Sequence, residues 1–135
     1  MDSITIPAKT DELETVNEFV MHKLADRACP AKALFQLRLA IEEIFVNIAS
    51  YAYEPGEGEA EIGCMVTENP PQVILRFMDS GAPFDPLARE EADTSPEGLM
   101  GREGGLGILL VKKLMDDVQY SYEDGKNILT IVKNL

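Results

Sequence analysis

Residues 31 to 53, AKALFQLRLAIEEIFVNIASYAY, constrain the fold more than any other stretch. Leu34, Leu37, Ile41, Ile44 and Ile48 fall at alternating three- and four-residue spacing. That spacing predicts a helix with an apolar stripe facing a core. Phe35, Leu39, Val46 and Tyr53 fall on a second side. Between the two, at about 100° per residue, Gln36, Ala40, Glu43 and Asn47 form a narrow column. Glu43 and Asn47 are one turn apart and neighbours on the helix surface. Glu42 points elsewhere, one turn from Arg38, and is expected to pair with it.

An Asn carbonyl is a neutral oxygen ligand suited to Mg²⁺. A carboxylate one turn away can hold a hydroxyl or a water as general base. A solvated helix face would carry the same residues, and from the helix alone that is the simpler reading.

The rest of the chain supplies the partners of this helix. SITIPA reads as a first strand and residues 10 to 28 as a first helix. Thr10 is its expected N-cap, and Leu13, Val16, Phe19, Val20 and Leu24 its apolar stripe. Residues 60 to 67 alternate as a strand, and Val73 to Met78 is apolar enough on both faces to be a central strand. GGLGILLVKKLMDD reads as a glycine-rich turn opening a third helix, whose Leu106, Leu109, Leu110 and Leu114 are read as core. VQYSYEDGKNILTIV reads as a hairpin turning at Asp124-Gly125. This order predicts an α+β two-layer sandwich: a mixed, largely antiparallel sheet with helices packed on one face. The 135 residues suit a single domain.

Composition narrows the function. A net charge of -12 argues against binding nucleic acid through its phosphates. No apolar run reaches the roughly 18 to 20 residues of a membrane span, and no signal-peptide pattern opens the chain. Cys29 and Cys64 lie far apart without a metal-ligand pattern and are expected as small core hydrophobes of a reducing cytoplasm. His22, the lone histidine, is expected to be structural.

Two further stretches could carry chemistry. DSGAPFDP, residues 79 to 86, ends the central strand. An Asp there can accept from an exocyclic amino group such as adenine's, and Gly81 lets the backbone approach a ring; the same residues also make ordinary turns. In GREGGLGILL, residues 101 to 110, three glycines meet a helix start, where free N–H groups and the helix dipole can cradle phosphate. A flexible cap is equally consistent with that stretch.

Taken together, LAIEEIFVNIASYAY, MDSGAPFDPL and GGLGILLVKKLMDDVQY resemble the GHKL ATPases, which share the Bergerat fold, the ATPase domain of the histidine-kinase type. Within them the chain is most similar to the anti-sigma factor serine/threonine kinases. The likeness runs from about residue 5 to 135. It implies that Glu43 is the general base, Asn47 the Mg²⁺ ligand, and Asp79 with Gly81 the adenine-reading pair. It implies that Gly104, Gly105, Leu106 and Gly107 bind phosphate, that Arg102 can reach the γ-phosphate, and that residues from about 85 to 103 form an ATP lid. It further implies ATP and Mg²⁺ as cofactors, an anti-anti-sigma (STAS) protein as substrate, a sigma factor as a further partner, and a homodimer. A binding module of the same fold that transfers no phosphate is the alternative. Two departures stand out: Pro83 occupies the place of the family's second glycine after the Asp, and Glu103, not Arg102, directly precedes the glycine-rich turn.

Overall fold

The computed structural model describes residues 1–88 and 105–135. Strand β1 (Asp2–Pro7) leads through a short 3-10 turn (Thr10–Glu12) into helix α1 (Leu13–Leu24) and then helix α2 (Ala31–Asn47). Strands β2 (Glu59–Glu68) and β3 (Pro71–Asp79) follow. Helix α3 (Gly105–Leu114) and the hairpin β4 (Asp117–Glu123) and β5 (Lys126–Asn134) complete the described residues.

The five strands lie in the order β1-β2-β3-β5-β4, and every neighbouring pair is antiparallel. No parallel pair occurs among the described strands, so the sheet is simpler than the mixed one expected. The apolar strand β3 is central, as its sequence predicts. Strand alternation decides which face is covered. Ala60, Ile62 and Cys64 of β2, Val73, Leu75 and Phe77 of β3, and Leu129 and Ile131 of β5 are buried in one cluster with residues of all three helices. The helices therefore cover one face. Burial pushes the Cys64 thiol up to about 11 and keeps it neutral. Cys29 is half-buried against the same core, and both cysteines are free.

Local differences from the sequence reading have physical causes. Thr10 does not cap α1: it sits inside the 3-10 turn, and no side chain caps either helix start. The α-helix ends at Leu24 rather than 28, and turns carry the chain from Ala25 toward Pro30. On α2, Phe45 is fully buried although it lies off the expected stripe; packed one turn from Ile41, it widens the apolar arc. Phe35, on the expected second side, is 64% exposed. No ion pair joins Arg38 and Glu42 among the described residues. The buried face of α3 is Gly107, Ile108 and Val111, continued by Met115 just past its end, with Leu114 packed beside it, whereas Leu109 and Leu110 are only half-buried. The β4–β5 hairpin turns at Asp124 and Gly125 as expected. Both have positive φ, 53° and 76°, which a two-residue type I′ turn requires.

Candidate functional site

Helix α2 positions the site. Its α-geometry gives way at Ile48 to a π turn, Ile48–Ala52. Such wider turns shift the phase of the side chains that follow and are frequent at functional sites. Here the turn carries the chain end onto the C-terminus of β3. Glu43 and Asn47 therefore stand near one end of the site, and Ala52 and Tyr53 at the other. At 1.5 Å per residue, the nine steps from Glu43 to Ala52 span roughly 13 Å.

At the Glu43 end, helix α3 begins. A Cβ placed on Gly107 would collide with Glu43 Oε2 and lie 3.2 Å from its carboxyl carbon. The Glu43 carboxylate is thus in direct contact with the first turn of α3. Asn47 lies one turn further along α2, half-buried like Glu43. Neither side chain makes a hydrogen bond or ion pair among the described residues. Gly105 and Leu106 open α3. Arg102 and Gly104, and most of the expected lid, lie outside the described residues.

The other end is saturated with hydrogen bonds. Asp79, the last residue of β3, is only 8% exposed. Its Oδ1 accepts from the Gly81 N–H at 2.9 Å and from Asn127 Nδ2 at 3.0 Å. Its Oδ2 accepts no bond among the described residues. Gly81 is tight against α2: a Cβ there would strike the Ala52 carbonyl, with that carbonyl's carbon 2.8 Å away. The Tyr53 hydroxyl accepts from the Ser80 N–H at 2.7 Å and donates to the Glu59 carbonyl at 2.6 Å. The turn after β3 is therefore held from α2 on one side and from β5 on the other.

The structure thus brings Glu43 to Gly107 and Gly81 to Ala52 along one helix, with Asn47 between the two contacts. Sequence reasoning missed Tyr53 as a polar residue of the site, and missed Asn127 and Tyr120 altogether. An Asn at the head of the otherwise largely apolar NILTIV is a visible oddity, but its meaning depends on the register that pairs Asn127 with Asp79. Among the described residues no group of three or more His, Cys, Asp or Glu could hold a metal, so any ion here must take most of its ligands from elsewhere. A second cleft, between the end of α1 and the β2–β3 turn, is lined by Lys23, Arg27 and Glu68. Its cations are already paired, Lys23 with Asp2 and Arg27 with Glu68.

An open antiparallel sheet with helices on one face, a carboxylate-and-amide helix and a glycine-rich helix start define a nucleotide-binding ATPase domain. The sequence profile of the histidine kinase-like ATPase domain matches residues 6–133. The serine-protein kinase RsbW of Listeria monocytogenes serovar 1/2a is 31% identical over 136 residues, covering 95% of this chain and 85% of that protein. The serine/threonine-protein kinase BtrW of Bordetella bronchiseptica is 32% identical over 139 residues, covering 98% and 89%. RsbW of Oceanobacillus iheyensis is 31% identical over 133 residues, covering 92% and 80%. The chain belongs to the histidine kinase-like ATPase family, of the GHKL type, and within it to the anti-sigma factor serine/threonine protein kinases. Such a domain uses ATP. No helix among the described residues is long and apolar enough to cross a membrane.

Proposed function

We propose that this chain transfers the γ-phosphoryl group of Mg-ATP to a serine or threonine of a small STAS-type anti-anti-sigma protein. It would work in the cytoplasm, as a homodimer that also holds a sigma factor in a partner-switching system. The contact between the Glu43 carboxylate and the first turn of α3 carries this reading. Free N–H groups at a helix start attract phosphate oxygens, so a carboxylate beside them stands where a nucleophile must lose its proton.

In this reading Glu43 orients the attacking hydroxyl and takes its proton as general base. Asp79 Oδ2, the oxygen without a partner, accepts from the adenine amino group. A guanine would set a carbonyl oxygen against the same carboxylate and be rejected. Gly81, with no Cβ to strike the Ala52 carbonyl, lets the turn that orients Asp79 pack against the end of the helix, and Gly104, Gly105, Leu106 and Gly107 supply the phosphate cradle, with Arg102 reaching the γ-phosphate. Asn47 contributes one neutral oxygen, which fits Mg²⁺, an ion that keeps waters and phosphate oxygens for most of its shell. When bound, that ion neutralises charge between the phosphates. The protein's part in such transfer is positioning and charge stabilisation. Glu43 also argues for transfer over simple binding, because a pure nucleotide binder needs no base.

The test is incubation with Mg-ATP and a candidate STAS partner, read by phosphoprotein mass spectrometry. Phosphate on a Ser or Thr of the partner, lost in Glu43→Ala while nucleotide binding persists, is the expected result. A wild type that binds nucleotide and phosphorylates no STAS partner overturns the reading.

A further inference from the structure

Asn127 stands opposite Asp79 in the β3–β5 register and is, like it, 8% exposed. Its amide is fully engaged. Oδ1 accepts from the Phe84 N–H at 3.0 Å and from the Tyr120 hydroxyl. Nδ2 donates to Asp79 Oδ1 at 3.0 Å and to the Ala82 carbonyl at 3.0 Å, with the Gly81 carbonyl at 3.4 Å. The Phe84 N–H, which can only donate, and the Ala82 carbonyl, which can only accept, fix which way the amide faces. Flipped, it would set a carbonyl oxygen against the Asp79 carboxylate and an NH₂ against the Phe84 N–H. Pro83 costs this arrangement nothing, because the bonds use the carbonyl of residue 82 and the N–H of residue 84.

One side chain therefore does two things. It occupies Asp79 Oδ1 with a second donor, leaving Oδ2 as the acceptor open to a ligand. It also pins residues 81 to 84, the backbone that leaves the site. We propose that Asn127 is a positioning residue for base recognition, setting the Asp79 carboxylate in the one orientation that reads adenine. The proposal rests on the ATP reading above, but Asn127 itself, spent on protein partners, does not contact the base. Desolvation, helped by Asp85 and Asp79 nearby, pushes the Tyr120 phenol up, so it remains a donor to Asn127 at working pH.

Asn127→Asp gives the deciding variant. One of its oxygens can still accept from Phe84 and Tyr120, while the other faces Asp79 Oδ1. Two carboxylates at about 3 Å cannot both ionise freely. At pH about 8 the pair repels and Asp79 is displaced. As the pH falls toward about 5.5 a shared proton supplies an O–H donor where the Nδ2–H stood. The titratable groups facing this position are Asp79 from β3, Tyr120 and Tyr122 from β4, and Asp85 beyond β3.

The measurement is the dissociation constant for ADP and for GDP, by calorimetry on the full chain, with folding checked by circular dichroism. Asn127→Asp should bind ADP about tenfold more weakly than wild type near pH 8, the deficit narrowing to about threefold near pH 5.5. Asn127→Ala should be weak at both pH values and less selective for ADP over GDP. If Asn127→Asp does not fold, Tyr120→Phe decides. It keeps the ring, removes one donor from Asn127, and should lower ADP-over-GDP selectivity by about threefold. Folded variants with wild-type affinity and selectivity, or a deficit in Asn127→Asp that is the same at every pH, overturn this inference and leave the ATP reading intact. A folded wild type that binds neither nucleotide overturns both.

Discussion

The two ends of the candidate site, which the proposed function makes the base end and the phosphate end, are built on opposite principles. At the base end, Asp79, Asn127, Tyr53, Tyr120 and the backbone of residues 80 to 84 satisfy one another, and the key carboxylate keeps one oxygen unspent. At the phosphate end, Glu43 and Asn47 stand half-buried on a helix face with no hydrogen bond among the described residues. A preorganised end suits a ligand part that must be discriminated, because an ill-matched base then meets buried polar groups that cannot rearrange. An uncommitted end suits groups that must take up a proton or a new ligand during the reaction. The comparison therefore predicts that damage at the base end shows in stability and selectivity, and damage at the phosphate end in rate.

The largest effect is expected at the uncommitted end. Glu43→Ala should lower the transfer rate by about 10²- to 10⁴-fold, the usual contribution of a general base. Its nucleotide affinity and thermal midpoint should stay near wild type. A large loss of stability would break the contrast, by making Glu43 a structural residue.

Two glycines sharpen the contrast, since each would receive the same methyl group. Gly81→Ala drives its Cβ into the Ala52 carbonyl, a backbone atom that cannot rotate away. We expect a loss of about 1–3 kcal/mol in unfolding free energy, the usual cost of overpacking, together with weaker ADP binding. Gly107→Ala meets mainly the end of the Glu43 side chain, which can swing aside. Its stability should change by less than about 1 kcal/mol, but the displaced carboxylate should cost about tenfold or more in rate. Chemical denaturation and phosphotransfer assays on the pair separate the two cases. Equal stability losses would mean that both ends are equally rigid.

The same contrast explains what was legible in the sequence. Glu43, Asn47 and the glycine-rich stretch that opens α3 are local signals, since helical spacing alone makes Glu43 and Asn47 neighbours. The central position of β3 was legible for a similar reason, from its apolar residues on both faces. Asn127 meets Asp79 across 48 residues of chain, through a strand pairing that no short window encodes. Tyr53 read as one more apolar position because the π turn that re-aims it breaks the 3.6-residue period on which that reading depends. The face of α3 was assigned to its leucines, whereas packing chose Ile108, Val111 and Met115, one step out of phase.

The smallest effect tests whether α2 shares in the rigidity of the base end. The Tyr53 hydroxyl is the only bond from the α2 end to the turn after β3 among the described hydrogen bonds, accepting from Ser80 and donating to Glu59. Tyr53→Phe keeps the ring, which packs against Gly58, where even a Cβ would collide with it. The backbone N–H of Ser80 is exposed enough for water to replace the lost acceptor, so the cost should be about 1 kcal/mol or less, near the net value of one hydrogen bond. If Asn127 alone orients Asp79, ADP-over-GDP selectivity should survive this change while the thermal midpoint drops slightly. If selectivity falls as far as in Asn127→Ala, the carboxylate is held from both sides, and the helix bearing Glu43 is mechanically part of the base site.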